Sequence, residues 1–349
     1  MHSFTIGGTL LSNNTPPYLV AELSGNHNQS IDRAKTLIEA AAKAGAHAVK
    51  LQAYTPDTLS LNCKKDRFLI KEGPWAGQYQ YTLYQQAMTP WEWIPELADH
   101  ARKYNLELFC SPFDESSVDF LQETLNPSVY KIASLEITHL PLLKKVAQTG
   151  KPVLLSTGNA EEQEIKQALE CLNENGCHSV LLLKCINAYP AQAKDFNLRS
   201  LIRLQENFPC PVGLSDHSLS NEVSLGAIAL GACLIEKHLT LSRTEGGVDS
   251  AFSLEPQEFH SMAKSINILY ESLGESRISP SDQELIERRF RRSIYVSSSI
   301  KEGDTLSIDN LKIIRQDDGL PPSEWENVLG KAASRTLSFG EPLSTGDFH

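Results

Sequence analysis

Pro211-Val212-Gly213-Leu214-Ser215-Asp216-His217-Ser218 is an apolar run that stops at four consecutive hydrogen-bonding side chains, one of them an imidazole. A plain turn would draw on Gly, Pro or Asn instead. The stretch reads as a short strand, PVGLS (211–215), whose carboxyl end carries chemistry. Seven more apolar runs precede or follow it: YLVAE (18–22), AVKLQ (48–52), LELFCS (106–111), VYKIAS (129–134), PVLLST (152–157), VLLLKC (180–185) and CLIEKH (233–238). Between them lie segments such as IDRAKTLIEAAAKAG and EEQEIKQALECLNENG, whose apolar residues recur at three and four, so strands alternate with amphipathic helices. Two helix exits, Lys43-Ala44-Gly45-Ala46 and Ala229-Leu230-Gly231-Ala232, place Gly where the chain turns back into a strand.

Eight βα units at regular spacing, with no GxGxxG after the first strand, predict a closed TIM (β/α)8 barrel in the α/β class rather than an open doubly wound sheet. At 349 residues the chain exceeds one such barrel of ~250 residues, which leaves room for a small appended domain. The expected boundaries are a barrel over 1–275, a linker helix over 276–289 that includes the basic run ELIERRFRR, and a C-terminal domain of short strands over 290–349. Residues 56–90 are expected to form a long loop after the second strand, on the face where barrel active sites lie. The arginines 288, 289, 291 and 292 read as a solvated or interface face.

No apolar run approaches the ~20 residues of a membrane span, and the N-terminus carries no secretory signal, so no membrane role and a cytoplasmic location are expected. Seven dispersed cysteines without a CxxC pair suggest reduced thiols, with Cys110, Cys185 and Cys233 as small core residues. A net charge of −11 without a basic stripe argues against nucleic acid as a partner and requires that an anionic substrate be held by a few local cations.

Polar residues interrupt these strands at one end. Glu22, Lys50 and Gln52, Ser111, Lys131 with Ser134 and Glu136, Ser156 and Thr157, Asn187 and Tyr189, Ser215 to His217, and Glu236 to His238 all lie at or just past strand carboxyl termini. A single Ser there caps a helix and a single Lys snorkels, but capping and snorkelling do not explain the repetition in every strand. A charge inside an apolar strand is paired or used, because leaving it alone costs several kcal/mol, roughly. His217 and His238 end the last two strands, neighbours in a barrel. Without a nearby Cys they suit an N/O metal site with open positions, while hydrogen-bonded core or helix-capping histidines remain the alternative. Lys50 and Lys131 among Ser111, Ser134, Ser156 and Ser215 have the composition of a small-anion pocket. Glu22, Glu136 and Asp249 are candidates for acid, base or hydroxyl binding. A Schiff-base lysine, Lys131 or Lys237, is a different chemistry for the same residues, and a glycan-binding protein leaves them without a use.

The stretches AELSGNHNQS, AGAHAVKLQAYTPDTL, SPFDESSVDFL, YKIASLEI, TGKPVLLSTG, LLKCINAYPA, VGLSDHS and IEKHLTLSRTEGGVDSAFSLEP resemble, in order, the sialic acid synthase family, most closely its pseudaminic acid synthase branch. The resemblance implies condensation of phosphoenolpyruvate with an open-chain N-acetylated amino sugar, with His217 and His238 holding a divalent manganese or magnesium ion. It implies phosphoenolpyruvate contacts at Lys50, Ser111, Lys131, Ser134, Ser156, Asn187 and Ser215. Glu22 and Glu136 match the carboxylates beside the reacting atoms, and Gln52, Tyr189 and Asp249 match sugar contacts. It further implies a C-terminal antifreeze-like (SAF) domain that reaches over the partner's barrel in a swapped homodimer, with Arg315 facing substrate and Phe290 in the segment approaching the mouth. Here Arg315 is followed by Gln316-Asp317-Asp318-Gly319 where relatives place Pro, so two acids are expected to compete for that arginine.

Overall fold

A computed structural model describes residues 3–349, in which the chain divides into two compact units, one running to Gly274 and the other Glu275–His349. The first opens with a hairpin, β1 (Phe4–Ile6) and β2 (Thr9–Leu11), paired antiparallel around Gly7-Gly8. Both glycines have positive φ, 53° and 86°, the backbone that a two-residue hairpin turn demands.

Eight parallel strands follow: β3 (Tyr18–Glu22), β4 (Ala48–Ala53), β5 (Glu107–Pro112), β6 (Tyr130–Ile132), β7 (Val153–Ser156), β8 (Val180–Cys185), β9 (Val212–Asp216) and β10 (Leu234–His238). They form one sheet in the order β5-β4-β3-β10-β9-β8-β7-β6, so the first strand pairs with the last and the sheet curls round on itself. Only between β5 and β6 do the described residues show no hydrogen-bonded ladder. The predicted barrel is therefore present, nearly closed.

Side chains on a strand alternate between faces. The outward set, among them Leu19, Val49, Leu51, Leu108, Ile132, Leu155, Leu182, Leu214 and Ile235, packs under the surrounding helices in the main core. The inward set is apolar at the amino ends of the strands, where Tyr18, Val20, Ala48, Phe109, Leu154, Leu181 and Leu234 meet Phe4, Ile6 and Leu11 of the hairpin. The hairpin thus plugs the bottom of the barrel with hydrocarbon. One step further along each strand the inward residues become Glu22, Lys50, Ser111, Lys131, Ser156, Cys185, Ser215 and Glu236, all buried.

Both helix exits turn as expected, with φ 94° at Gly45 and 92° at Gly231. Strand β6 is shorter than the sequence suggested, because Ser134–Glu136 leaves it as a helical turn over the mouth. Residues 56–90 are not a plain loop: they carry helices Pro56–Leu59 and Gln80–Ala87 and a Leu69–Tyr79 bridge.

In the second unit the expected basic helix is short. It spans Asp282–Glu287, followed by a turn Arg288–Phe290, because Arg292 already pairs with Arg315 in the ladder of β11 (Arg292–Val296) and β12 (Leu311–Arg315). Ile294, Val296, Leu306, Leu311, Val328 and Leu337 form the core of this unit.

The outward face of the barrel holds one buried ion pair. Lys237 Nζ lies 2.7 Å from Asp216 Oδ2, which also accepts from the Ser224 hydroxyl at 2.8 Å. Lys237 therefore points away from the mouth, which removes it as a Schiff-base candidate. Replacing Lys237 by Ala strands Asp216 in the core and is expected to lower unfolding free energy by about 3–5 kcal/mol in a denaturant titration.

Candidate active site

The carboxyl ends of the strands surround a cavity of about 390 Å³. Its floor is built by register. Glu22 on β3 pairs in the ladder with Lys50 on β4 and with His238 on β10, and Glu236 on β10 pairs with Ser215 on β9. Lys50 Nζ sits between two carboxylates, 2.9 Å from Glu22 Oε2 and 3.1 Å from Glu236 Oε1. The Ser215 hydroxyl donates to Glu236 Oε1 at 2.9 Å, while the Ser24 amide and Gln52 Nε2 donate to Glu22 Oε1 at 2.9 and 3.2 Å. Burial would neutralise these groups. It raises Glu22, helped by the nearby Glu236 charge and opposed by Lys50. Burial likewise opposes ionisation of Glu236, but Lys131 and Lys50 together hold it well below the ordinary carboxylate range.

The second lysine is different. Lys131 Nζ donates only to neutral oxygens, Ser156 Oγ at 2.7 Å and the Ile132 carbonyl at 3.0 Å, and burial lowers its pKa although Glu236 favours the charged form. Beside it the Gly158 amide donates to Ser134 Oγ at 3.1 Å. A Cβ on Gly158 would come within 2.7 Å of Ser134 Oγ and 2.9 Å of Asn187 Oδ1, so the loop after β7 approaches these side chains as only glycine permits. A cation with no carboxylate in direct hydrogen-bond contact, in a cavity also lined by Ser134, Ser156, Asn187 and Ser215, suits an anion.

Across the cavity the imidazoles of His217 and His238 stand 5.2 Å apart, centre to centre. His217 Nδ1 is 2.8 Å from the Ile186 carbonyl and His238 Nδ1 is 3.3 Å from Ser24 Oγ. With the Nδ1 atoms so engaged, the Nε2 atoms are the ones left for a ligand, the arrangement that orients metal-binding histidines. The described residues hold no group of three or more His, Cys, Asp or Glu able to bind a metal ion. Two imidazoles with free Nε2 atoms suit a divalent ion only where other groups complete its coordination. Burial, with His217 and Lys50 nearby, pushes the His238 pKa well down and keeps that ring neutral, as a ligand must be. Burial also raises Glu136 and Asp249, the latter facing the Gly25 amide at 3.5 Å.

Gln52, Glu136, Tyr189 and Asp249 line the cavity together with Lys50, Lys131, Ser134, Ser156, Asn187, Ser215, His217 and His238. Glu22 and Ser111 lie behind this surface, and Ser111 Oγ is buried without a hydrogen-bond partner. Phe290 and Arg315 belong to the second unit. There Phe290 is exposed under the Arg289 guanidinium, 4.7 Å from its ring, and Arg315 has no ion pair among the described residues. Asp318 accepts from the Tyr295 hydroxyl instead of competing for Arg315.

Glu236, expected only as a strand-tip residue, Cys185, expected in the core, and Trp75 and Phe252, for which no role is expected, also line the cavity. Strand parity would have found Glu236 and Cys185, each two residues from another inward-facing residue. Cys185 is buried as expected yet reaches the cavity, and although burial opposes it, His217 at 3.9 Å lowers its pKa to about 7.

A parallel barrel whose ionisable side chains converge at the carboxyl ends of its strands is the framework of a (β/α)8 enzyme. More narrowly, the chain belongs to the NeuB family, whose model matches residues 37–277, and a SAF domain follows over residues 291–349. It is 42% identical to the pseudaminic acid synthase of Helicobacter pylori over 334 residues, 95% of this chain and 98% of that one. The N,N'-diacetyllegionaminic acid synthase of Campylobacter jejuni is 38% identical over 93% of this chain and 97% of its own. Among solved structures, the N-acetylneuraminic acid synthetase of Leptospira borgpetersenii, in complex with citrate, matches with a TM-score of 0.73 at 31% identity, covering 82% of this chain and 97% of that one.

The two floor lysines are expected to differ in denaturant titrations. Lys50→Met leaves two carboxylates facing each other and should cost about 3–5 kcal/mol, whereas Lys131→Met, which loses direct hydrogen bonds only to neutral oxygens and acts on Glu236 through space alone, should cost less.

Proposed function

We propose that this protein is a pseudaminic acid synthase, condensing phosphoenolpyruvate with 2,4-diacetamido-2,4,6-trideoxy-altrose to give pseudaminic acid and phosphate. The observation that carries the reading is the end-to-end similarity to pseudaminic acid synthases of a chain whose strand tips meet at one anion pocket beside two imidazoles.

In this reading Lys131, with Ser134, Ser156 and Asn187, binds the phosphate and carboxylate of phosphoenolpyruvate, and Lys50 fixes the adjoining carboxylates in place. His217 and His238 hold a divalent ion, manganese or magnesium, which when bound acts as a Lewis acid toward the sugar aldehyde. Gln52, Tyr189 and Asp249 orient the sugar so that C3 of phosphoenolpyruvate attacks C1, forming the C–C bond while the aldehyde oxygen takes a proton. Glu136, its pKa raised by burial, is the nearby acid for that proton. The attack uses the C2=C3 π pair and leaves C2 electrophilic. Water then adds at C2, losing one proton to a floor carboxylate. The C2–O bond to phosphate breaks as the C2 hydroxyl gives its remaining proton to the departing phosphate, which releases phosphate and the 2-keto acid.

The runner-up is a legionaminic or N-acetylneuraminic acid synthase, supported by the similarity to the legionaminic enzyme. The Schiff-base reading retains only Lys131. We further propose a domain-swapped homodimer in which Arg315 and Phe290 serve the partner's site, and a cytoplasmic location. No helix of the described residues is long and apolar enough to cross a membrane.

Supplied with phosphoenolpyruvate and a panel of acylated amino sugars, the enzyme is expected to release phosphate fastest with the 2,4-diacetamido-2,4,6-trideoxy sugar, the product being identified by mass. Chelation should abolish turnover, with manganese restoring it, and His217→Ala or His238→Ala should lower kcat by about a hundredfold or more with the fold intact. Turnover that survives chelation, with a borohydride-trapped adduct, would replace this mechanism by the lysine one.

A further inference from the structure

The mouth of the cavity differs from its floor. All the charged lining residues come from strand tips and the loops after β6 and β10, whereas residues 56–90 line the cavity with Leu59, Ile70, Trp75, Gln80, Leu83, Tyr84 and Ala87 and with no ionised group. The same segment carries Lys64, Lys65, Arg67 and Lys71, every one of them exposed to solvent. A charge-rich segment has therefore turned its charges outward and presents mainly apolar and aromatic side chains inward, with the neutral amide of Gln80 among them.

Trp75 is the keystone of this wall. Its single polar atom, Nε1, donates to the Val248 carbonyl at 2.8 Å, so the face toward the cavity presents carbon alone. The indole lies 5.4 Å from the Tyr189 ring and 6.1 Å from Phe252, and Tyr189 in turn lies 4.5 Å from His217. The wall thus begins two ring contacts from the imidazole pair. On the other side Tyr54 meets Tyr84 and Phe113 edge to face, at 6.0 and 5.3 Å.

We infer that the 56–90 segment, anchored by Trp75, is the specificity wall that reads the end of the sugar remote from the aldehyde, accepting a deoxy carbon with acylamino groups and disfavouring a hydroxymethyl or a phosphorylated carbon. This rests on the synthase reading, in which the aldehyde is held at the histidines and the remainder of the open chain extends toward the mouth. A methyl group there buries apolar surface against Trp75, a hydroxyl gives up hydration against the carbon face of that indole, and a phosphate meets no cation in the wall. An apolar pocket separates such neighbours by about 10–100-fold, the scale expected here.

The test compares kcat/KM for the 2,4-diacetamido-2,4,6-trideoxy sugar, N-acetylmannosamine and N-acetylmannosamine 6-phosphate in the wild type, Trp75→Phe and Trp75→Ala, with sugar affinity measured in parallel by calorimetry. The wild type should prefer the trideoxy sugar and refuse the phosphate. Trp75→Ala should lose about tenfold or more with the trideoxy sugar and little with N-acetylmannosamine, leaving the KM for phosphoenolpyruvate unmoved, while Trp75→Phe should keep most of the preference. Equal losses on all sugars, a shifted phosphoenolpyruvate KM, or wild-type turnover of the 6-phosphate would overturn the wall and leave the synthase reading standing. Selective binding of the trideoxy sugar without phosphate release would do the reverse.

Discussion

Lys50, clamped between Glu22 and Glu236 inside the barrel, is the constraint on which the rest of the first unit depends. Three charges in a low-dielectric interior are tolerable only as a closed set, because any one alone costs several kcal/mol, roughly. That set exists only if β3 lies between β4 and β10, which requires the sheet to curl until its first strand meets its last. Hydrocarbon immediately below, from Phe109, Leu181 and the Phe4–Leu11 hairpin, excludes water from under the polar layer. The dry floor strengthens every electrostatic interaction above it.

The same environment makes Lys131 useful. Its direct hydrogen-bond partners are neutral, so no carboxylate ties it down even though its charge helps hold Glu236 ionised, and it faces a cavity edged with hydroxyls. A site assembled before its ligand arrives does not reorganise when negative charge enters, and this preorganisation is the main electrostatic means by which enzymes lower barriers. Two lysines of equal burial thus divide their labour. One holds the carboxylates in place and the other is left for the substrate.

Around this floor the histidines and aromatic rings add a second chemistry. His217 and His238 are held by their Nδ1 atoms and packed against Tyr189 and Phe252, so an apolar rim surrounds the two nitrogens available to a ligand. Charge sits deep and aromatic surface sits at the mouth, which is the polarity expected for a substrate that is anionic at one end and acylated at the other. The second unit folds around its own apolar core, and its match to the SAF domain model accounts for the change in texture after Glu287.

Strand and helix identity was legible from the sequence, because alternation at two and recurrence at three or four are local properties of the backbone. The polar residues at strand tips, from Glu22 to His238, stood out for the same reason. The face of each residue was also encoded locally: Lys237 lies one position from Glu236 and His238 and must point the other way, to Asp216. The Gly7-Gly8 pair is likewise a local turn signal. What only the tertiary structure decided was partnership. Nothing near Lys50 in the chain indicates that it will be held by residues 22 and 236 while Lys131 is left with neutral oxygens, nor that Trp75 will reach Tyr189. Those pairings follow from the stagger and closure of the sheet, which are collective properties of eight strands that no short stretch of sequence contains.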